Sequence, residues 1–201
     1  MLTLLPLLAI LIVTVKTVCC ANVSCKGGSF CFIKFGMMSF IVSGILYISA
    51  ACPQYSRILE FTWFGAAQTQ LQLLGFAAMI LFGAIYELLP SVMGKPLPLP
   101  KFAKLHFWLA LIGVLLFVVP LIIAGVVQGE KLMYANIPFA DANTAALEFL
   151  RISTTGQLLV LLGAILFAAN IFIMTIQWKL GIAKTVIAYI KSPLETSEVK
   201  S

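Results

Sequence analysis

The chain has 201 residues, 62% of them hydrophobic and only 10% charged, with a mean hydropathy of +1.09. A soluble domain carries roughly 25% charged residues, so a soluble globular fold is excluded and the class is an all-α polytopic membrane helix bundle. The net charge of +6 would suggest nucleic acid in a soluble protein, but here the basic residues fall in loops between apolar runs, and no nucleic-acid partner is expected.

A helix crossing the hydrocarbon core needs roughly 20 apolar residues. Five stretches qualify, at about 1–18, 30–51, 61–89, 105–128 and 154–178. Together they define one five-helix transmembrane bundle over 1–178, followed by a polar cytoplasmic tail over 179–201. The polar–apolar alternation of a transmembrane barrel is absent.

The first stretch is a run of Leu, Ile and Val with Pro6 near its start, and no basic residue precedes Lys16. A signal peptide would want such a basic flank, so the segment reads as a span. The following loop carries Lys16, Lys26 and Lys34 with no acid. Cys19, Cys20, Cys25 and Cys31 in or beside that loop match neither a zinc nor a common iron–sulfur spacing, and read as reduced thiols. In the second span Gly36, Ser39, Ser43 and Gly44 recur three or four apart, a face of small residues that allows close helix contact.

The third span is the longest and carries a polar insertion, Gln68-Thr69-Gln70-Leu71-Gln72. Primary amides are costly in hydrocarbon unless their hydrogen bonds are answered. On an α-helix Gln68 and Gln72 share a face and Gln70 points away from both. Pro90 is expected to stop this helix. The loop after it, Gly94 to Pro100, is stiff with proline.

His106-Phe107-Trp108 opens the fourth span, and His106 is the only histidine. At the end of a span beside an aromatic belt it reads as a wet interfacial anchor. Pro120 predicts a kink. The loop over 130–151 has room for a short interfacial helix at 144–150. In the fifth span Asn170 lies deep enough to hydrogen-bond across helices. Basic excess alternates from loop to loop, which places the N-terminus outside and the C-terminus in the cytoplasm.

Three motifs carry a family resemblance. Phe61-Thr62-x-Phe64, followed by Leu74-Gly75-Phe76, Met79, Phe82-Gly83-Ala84-Ile85-Tyr86 and Leu88-Leu89-Pro90, resembles the tenth helix of haem–copper oxidase subunit I. The likeness is greatest to cbb3-type cytochrome c oxidases and the related nitric oxide reductases. Leu105-His106-Phe107-Trp108-Leu109-Ala110 with Ile112-Gly113, and Ala124-Gly125-x-x-Gln128-Gly129, resemble the eleventh helix. Gly163-Ala164-x-x-Phe167-x-x-Asn170 is similar to the twelfth. The five spans thus correspond to the eighth to twelfth helices of a twelve-helix subunit, whose orientation agrees with the charge pattern.

The resemblance implies a bacterial inner-membrane respiratory protein working with other integral membrane subunits. It also exposes a departure. The family's tenth helix carries His-x-His, one imidazole for each haem, and the corresponding positions here are Gln68 and Gln70. A neutral carboxamide is a poor axial donor beside imidazole. The expectation is therefore no haem b or metal in this chain and no catalytic residue, with Gln68, Gln70, Gln72 and Asn170 as interhelical polar contacts. The function expected is a non-catalytic accessory subunit. One alternative is the C-terminal part of a split terminal oxidase or nitric oxide reductase. Another is a small membrane module binding lipid or quinone.

Overall fold

In a computed structural model, residues 28–51, 61–134 and 138–198 are described, with isolated positions at 9, 12, 13, 16, 56 and 59; side chains at 188 and beyond 189 are not. Four helices follow in order: α1 (Ser29–Ala50), α2 (Trp63–Met93), α3 (Pro100–Leu132) and α4 (Phe139–Glu198). Each contains a stretch long and apolar enough to cross a membrane. Four such helices stand against the five expected, because the first expected span, 1–18, lies outside the described residues apart from its isolated positions.

Helix α3 is the centre of the bundle. Its buried residues, from His106 through Ala110, Gly113, Phe117, Leu121 and Ala124 to Gln128, recur every three or four positions. They make the continuous stripe that a core-facing helix needs. Pro100 occupies the first turn of α3, where its missing N–H has no intrahelical partner to lose.

Helix α4 packs along α3 through a seam of small residues. Its buried positions are Ala142, Ala146, Ser153, Gly156, Gly163, Asn170 and Met174, spacings that match a seam of period close to seven. A Cβ added at Gly113 would meet the Val160 backbone nitrogen at 2.9 Å and the Gly156 oxygen at 3.0 Å. Ser153 Oγ also donates to the Phe117 carbonyl at 2.9 Å. In lipid, where apolar side chains gain little by meeting one another, such close backbone approach is what holds helices together.

Helix α1 uses the same device against α2. Its buried face is Ser29, Phe32, Gly36, Ser39, Ser43 and Gly44, so the small-residue face read from the sequence is the packed one. A Cβ at Gly36 would meet Ile80 Cγ1 at 2.8 Å, and one at Gly75 would meet Ser39 Oγ at 3.1 Å.

Helix α2 is not uniformly α-helical: Leu71–Ala78 forms a π-helical segment between two α-helical stretches. Its buried positions include Leu71, Gly75, Met79 and Gly83, each four apart. In a regular α-helix every step of four drifts by about 40°. The wider π turns absorb that drift and keep the row on the face that meets α1.

Three local expectations are corrected. Pro90 does not stop α2, which continues to Met93 and ends where Gly94 adopts a left-handed conformation, φ 61°. Pro90 removes one backbone donor, yet the helix persists past it. The stretch 144–150 is no separate interfacial helix, because α4 already runs through it from Phe139. The tail over 179–201 is not set off from the fifth span either: α4 runs on to Glu198. No glycine–proline break separates the apolar part of α4 from Lys179-Leu180-Gly181-Ile182-Ala183-Lys184, so the helix propagates.

Candidate functional site

The polar insertion lies at the junction of the α-helical and π-helical parts of α2. Gln68 and Gln70 are half-buried and Gln72 is exposed. The π segment begins at Leu71, so Gln68 and Gln72 are separated by a change of helical pitch. Gln68 Nε2 is buried without a hydrogen-bond partner. Gln68 lines a cavity of about 280 Å³ with Tyr47, Ala51, Ser56, Phe64 and Gly65. The structure does not bring the three amides together with Asn170. Asn170 lies on α4, fully buried, where Nδ2 donates to the Leu99 carbonyl at 3.2 Å and Oδ1 has no partner.

The start of α2 is held by α3. Thr62 Oγ1 accepts from the Phe64 N–H at 3.4 Å, and Gln128 Oε1 accepts from the Trp63 N–H at 3.2 Å. Gln128 Nε2 in turn donates to Asn143 Oδ1 at 2.7 Å, tying the first turn of α4 to the same point. A Cβ at Gly125 would collide with the Phe64 backbone. The Ala124-Gly125-x-x-Gln128-Gly129 motif therefore has a direct physical purpose. Glycine admits the α2 backbone, and the amide one turn later caps one of its orphan N–H groups, that of Trp63.

A second polar group was not legible as a site. His106, expected as a wet anchor, is only 1% exposed. Its Nδ1 lies 3.2 Å from the Tyr86 hydroxyl, which is itself buried. The imidazole is boxed by Phe82 at 4.7 Å, Phe32 at 5.1 Å and Phe167 at 5.6 Å between ring centroids. Gly163 leaves room for it on α4: a Cβ there would meet His106 Cδ2 at 3.0 Å. The Asn170 carboxamide also lies beside the Tyr86 hydroxyl.

All three resemblance motifs converge on this core. Phe82 and Tyr86 come from the α2 motif, His106 and Phe107 from the α3 motif, and Gly163, Phe167 and Asn170 from the α4 motif. The missed signal was the pairing of the sole histidine with a glycine and an asparagine seven residues apart on a later span. Among the described residues no three His, Cys, Asp or Glu side chains come together in a metal-binding group. Cys31, the one described cysteine, is half-buried.

Comparison with known families decides the affiliation. Residues 1–159 match the family model described as cytochrome c and quinol oxidase polypeptide I. The chain belongs to that family. A cytochrome c oxidase subunit 1 homolog from Azorhizobium caulinodans is 31% identical over 128 residues, 60% of this chain and 23% of that protein. Cytochrome c oxidase subunit 1 of Rhodobacter capsulatus is 32% identical over 108 residues, 49% of this chain and 20% of the relative. A cbb3-type cytochrome c oxidase subunit from Stutzerimonas stutzeri is 33% identical over 103 residues, 50% of this chain and 21% of the relative. The chain thus spans between a fifth and a quarter of the length of the curated relatives it matches. Family membership and four apolar helices together make it a multi-pass membrane protein of the haem–copper oxidase family, with bacterial relatives.

Proposed function

We propose that this chain is a subunit I-like membrane protein that does not itself ligate haem, and that it serves as an accessory subunit packed against other integral membrane subunits of a respiratory complex. What supports this reading is the donor set at the positions that the resemblance sets beside the family's His-x-His. Gln68 and Gln70 offer carboxamides there, and the buried end of Gln68 is a nitrogen donor with no lone pair for iron. These residues do not fit a haem. His106, the only imidazole, is committed to an aromatic box on α3 and is no substitute.

The polar amides suit helix contact instead. An interhelical amide hydrogen bond in lipid contributes about 0.6–2 kcal/mol, enough for Gln68 and Gln70 to favour a partner helix, lipid or quinone carrying acceptors. The outward faces of α1 and α2, with Tyr47, Leu73 and Leu81 exposed, supply apolar surface for the same partner. The charge pattern supports a cytoplasmic C-terminal end for α4.

The test is purification of the tagged full chain from its native membranes in a mild detergent, followed by mass spectrometry. Stoichiometric co-purification of other integral membrane subunits is expected, and it should weaken in a Gln68→Leu/Gln70→Leu variant. A chain that elutes alone from its native membranes contradicts the accessory role.

A further inference from the structure

Below the Tyr86–His106 pair lies a cavity of about 430 Å³ at the end of the bundle where α1 begins, α2 ends and α3 begins. Ser29, Tyr86, Glu87 and Lys104 supply its polar lining, and Pro90 and Ala103 are among its apolar walls. Ser29 Oγ donates to Glu87 Oε2 at 2.5 Å, while Glu87 and Lys104 are otherwise exposed at the mouth. The volume is large enough for several waters, and the lining offers the polar partners that ordered water needs.

Two backbone features extend this polarity inward. Pro90 has no N–H to offer the Tyr86 carbonyl, the acceptor a regular helix would pair with it. Asn170 secures the Leu99 carbonyl, between the wall residues Leu97 and Pro100, and leaves its own buried Oδ1 without a partner. An unanswered acceptor that is fully buried marks a place for a hydrogen-bond donor.

We propose that this cavity is a hydrated vestibule and that His106, reached through Tyr86, is a proton-binding site inside the membrane-spanning bundle. An ionisable side chain at membrane depth is a functional candidate by default, and the partner bonded to this one, Tyr86, lines the cavity. The transfer is balanced without any co-reactant. Cavity water carrying an excess proton donates it to Tyr86 Oη, while the Tyr86 hydroxyl proton passes to His106 Nδ1. One O–H bond forms and one breaks on Tyr86, an N–H bond forms on His106, and neutral tyrosine and an imidazolium remain. This direction requires the His106 tautomer with its proton on Nε2.

Phe82 on α2, Phe32 on α1 and Phe167 on α4 enclose the imidazole. Among the described residues, Tyr86 is the only other titratable group in the box. From α1 and α4 the facing groups are Phe32, Gly163, Phe167 and Asn170, none titratable. The charged groups lining the approach are Glu87 on α2 and Lys104 on α3. The proposal concerns the α2–α3–α4 core and stands independently of what occupies the Gln68 cavity.

The experiment exploits the single histidine. The full chain, labelled with ¹⁵N-histidine and held in lipid nanodiscs, gives one imidazole signal. Its ring nitrogens are expected to shift with the pH of the medium and to exchange with water, and Tyr86→Phe should slow that exchange roughly tenfold, the worth of one buried hydrogen bond. Ring signals that ignore both pH and water overturn the proposal. A measurement in intact membranes covers the case in which Tyr86→Phe fails to fold. Ala103→Cys, in a chain freed of its native cysteines, is expected to react with a water-soluble methanethiosulfonate, and pretreatment with that reagent should retard His106 exchange. A thiol at that position that stays unmodified in folded protein also overturns it.

Discussion

At the residue scale, the contacts that matter are those where a side chain is missing or where an amide replaces water. Gly125 lets the Phe64 backbone lie against α3, and any Cβ there enters occupied space. Gly125→Ala is expected to destabilise the bundle by about 1–3 kcal/mol, the usual cost of forcing atoms into a packed site. A thermal-unfolding midpoint in detergent measures it, and an unchanged midpoint would mean that α2 does not approach α3 there. Gln128→Leu should also lower the midpoint, by about 1–3 kcal/mol, because it strips the Trp63 N–H and the Asn143 side chain of their partner. Gln128→Glu keeps the acceptor for Trp63 and should lose less. His106 shows why such sites are hard to read in advance. Its position near the start of a span predicts interfacial water, yet the α3 helix begins at Pro100, so His106 sits more than one turn inside. Gly163, far along the chain, then provides the space that buries it.

At the element scale, the helical spans at 30–51, 61–89, 105–128 and 154–178 were legible because long apolar runs admit no other structure in lipid. Their ends were less legible. Pro90 looks like a stop because proline removes a donor, but α2 continues until a glycine can take a positive φ. The π segment had no such local signature: only the row Leu71, Gly75, Met79 and Gly83, seen against α1, shows why the helix widens. Gly36→Leu should therefore separate α1 from the π segment. Accelerated amide exchange over 71–78 is the expected readout, and exchange confined to α1 would contradict the packing. The extension of α4 past Lys179 makes a second element-scale prediction. Amides over 179–187 should be protected as helix in hydrogen exchange, whereas an unstructured polar tail would exchange at once.

At the scale of the whole molecule, a family fold carries two polar centres with different histories. The aromatic core around His106 gathers residues from all three motifs that mark the family, and so it was present in the sequence but scattered over more than sixty residues. The glutamines were visible as a polar patch at once, but the reading proposed for them rests on the family's His-x-His. Neither periodicity nor composition distinguishes amides in place of ligands from amides that join helices. On the proposed reading, Gln68 and Gln70 leave this subunit I relative without iron of its own. The most direct measurement is a reduced-minus-oxidised difference spectrum, with haem quantified per chain, on the complex purified from native membranes and on the same complex carrying Gln68→Ala/Gln70→Ala. Identical haem content is expected in both, all of it assignable to partner subunits. Haem that binds in proportion to this chain and is lost in the double variant would contradict it.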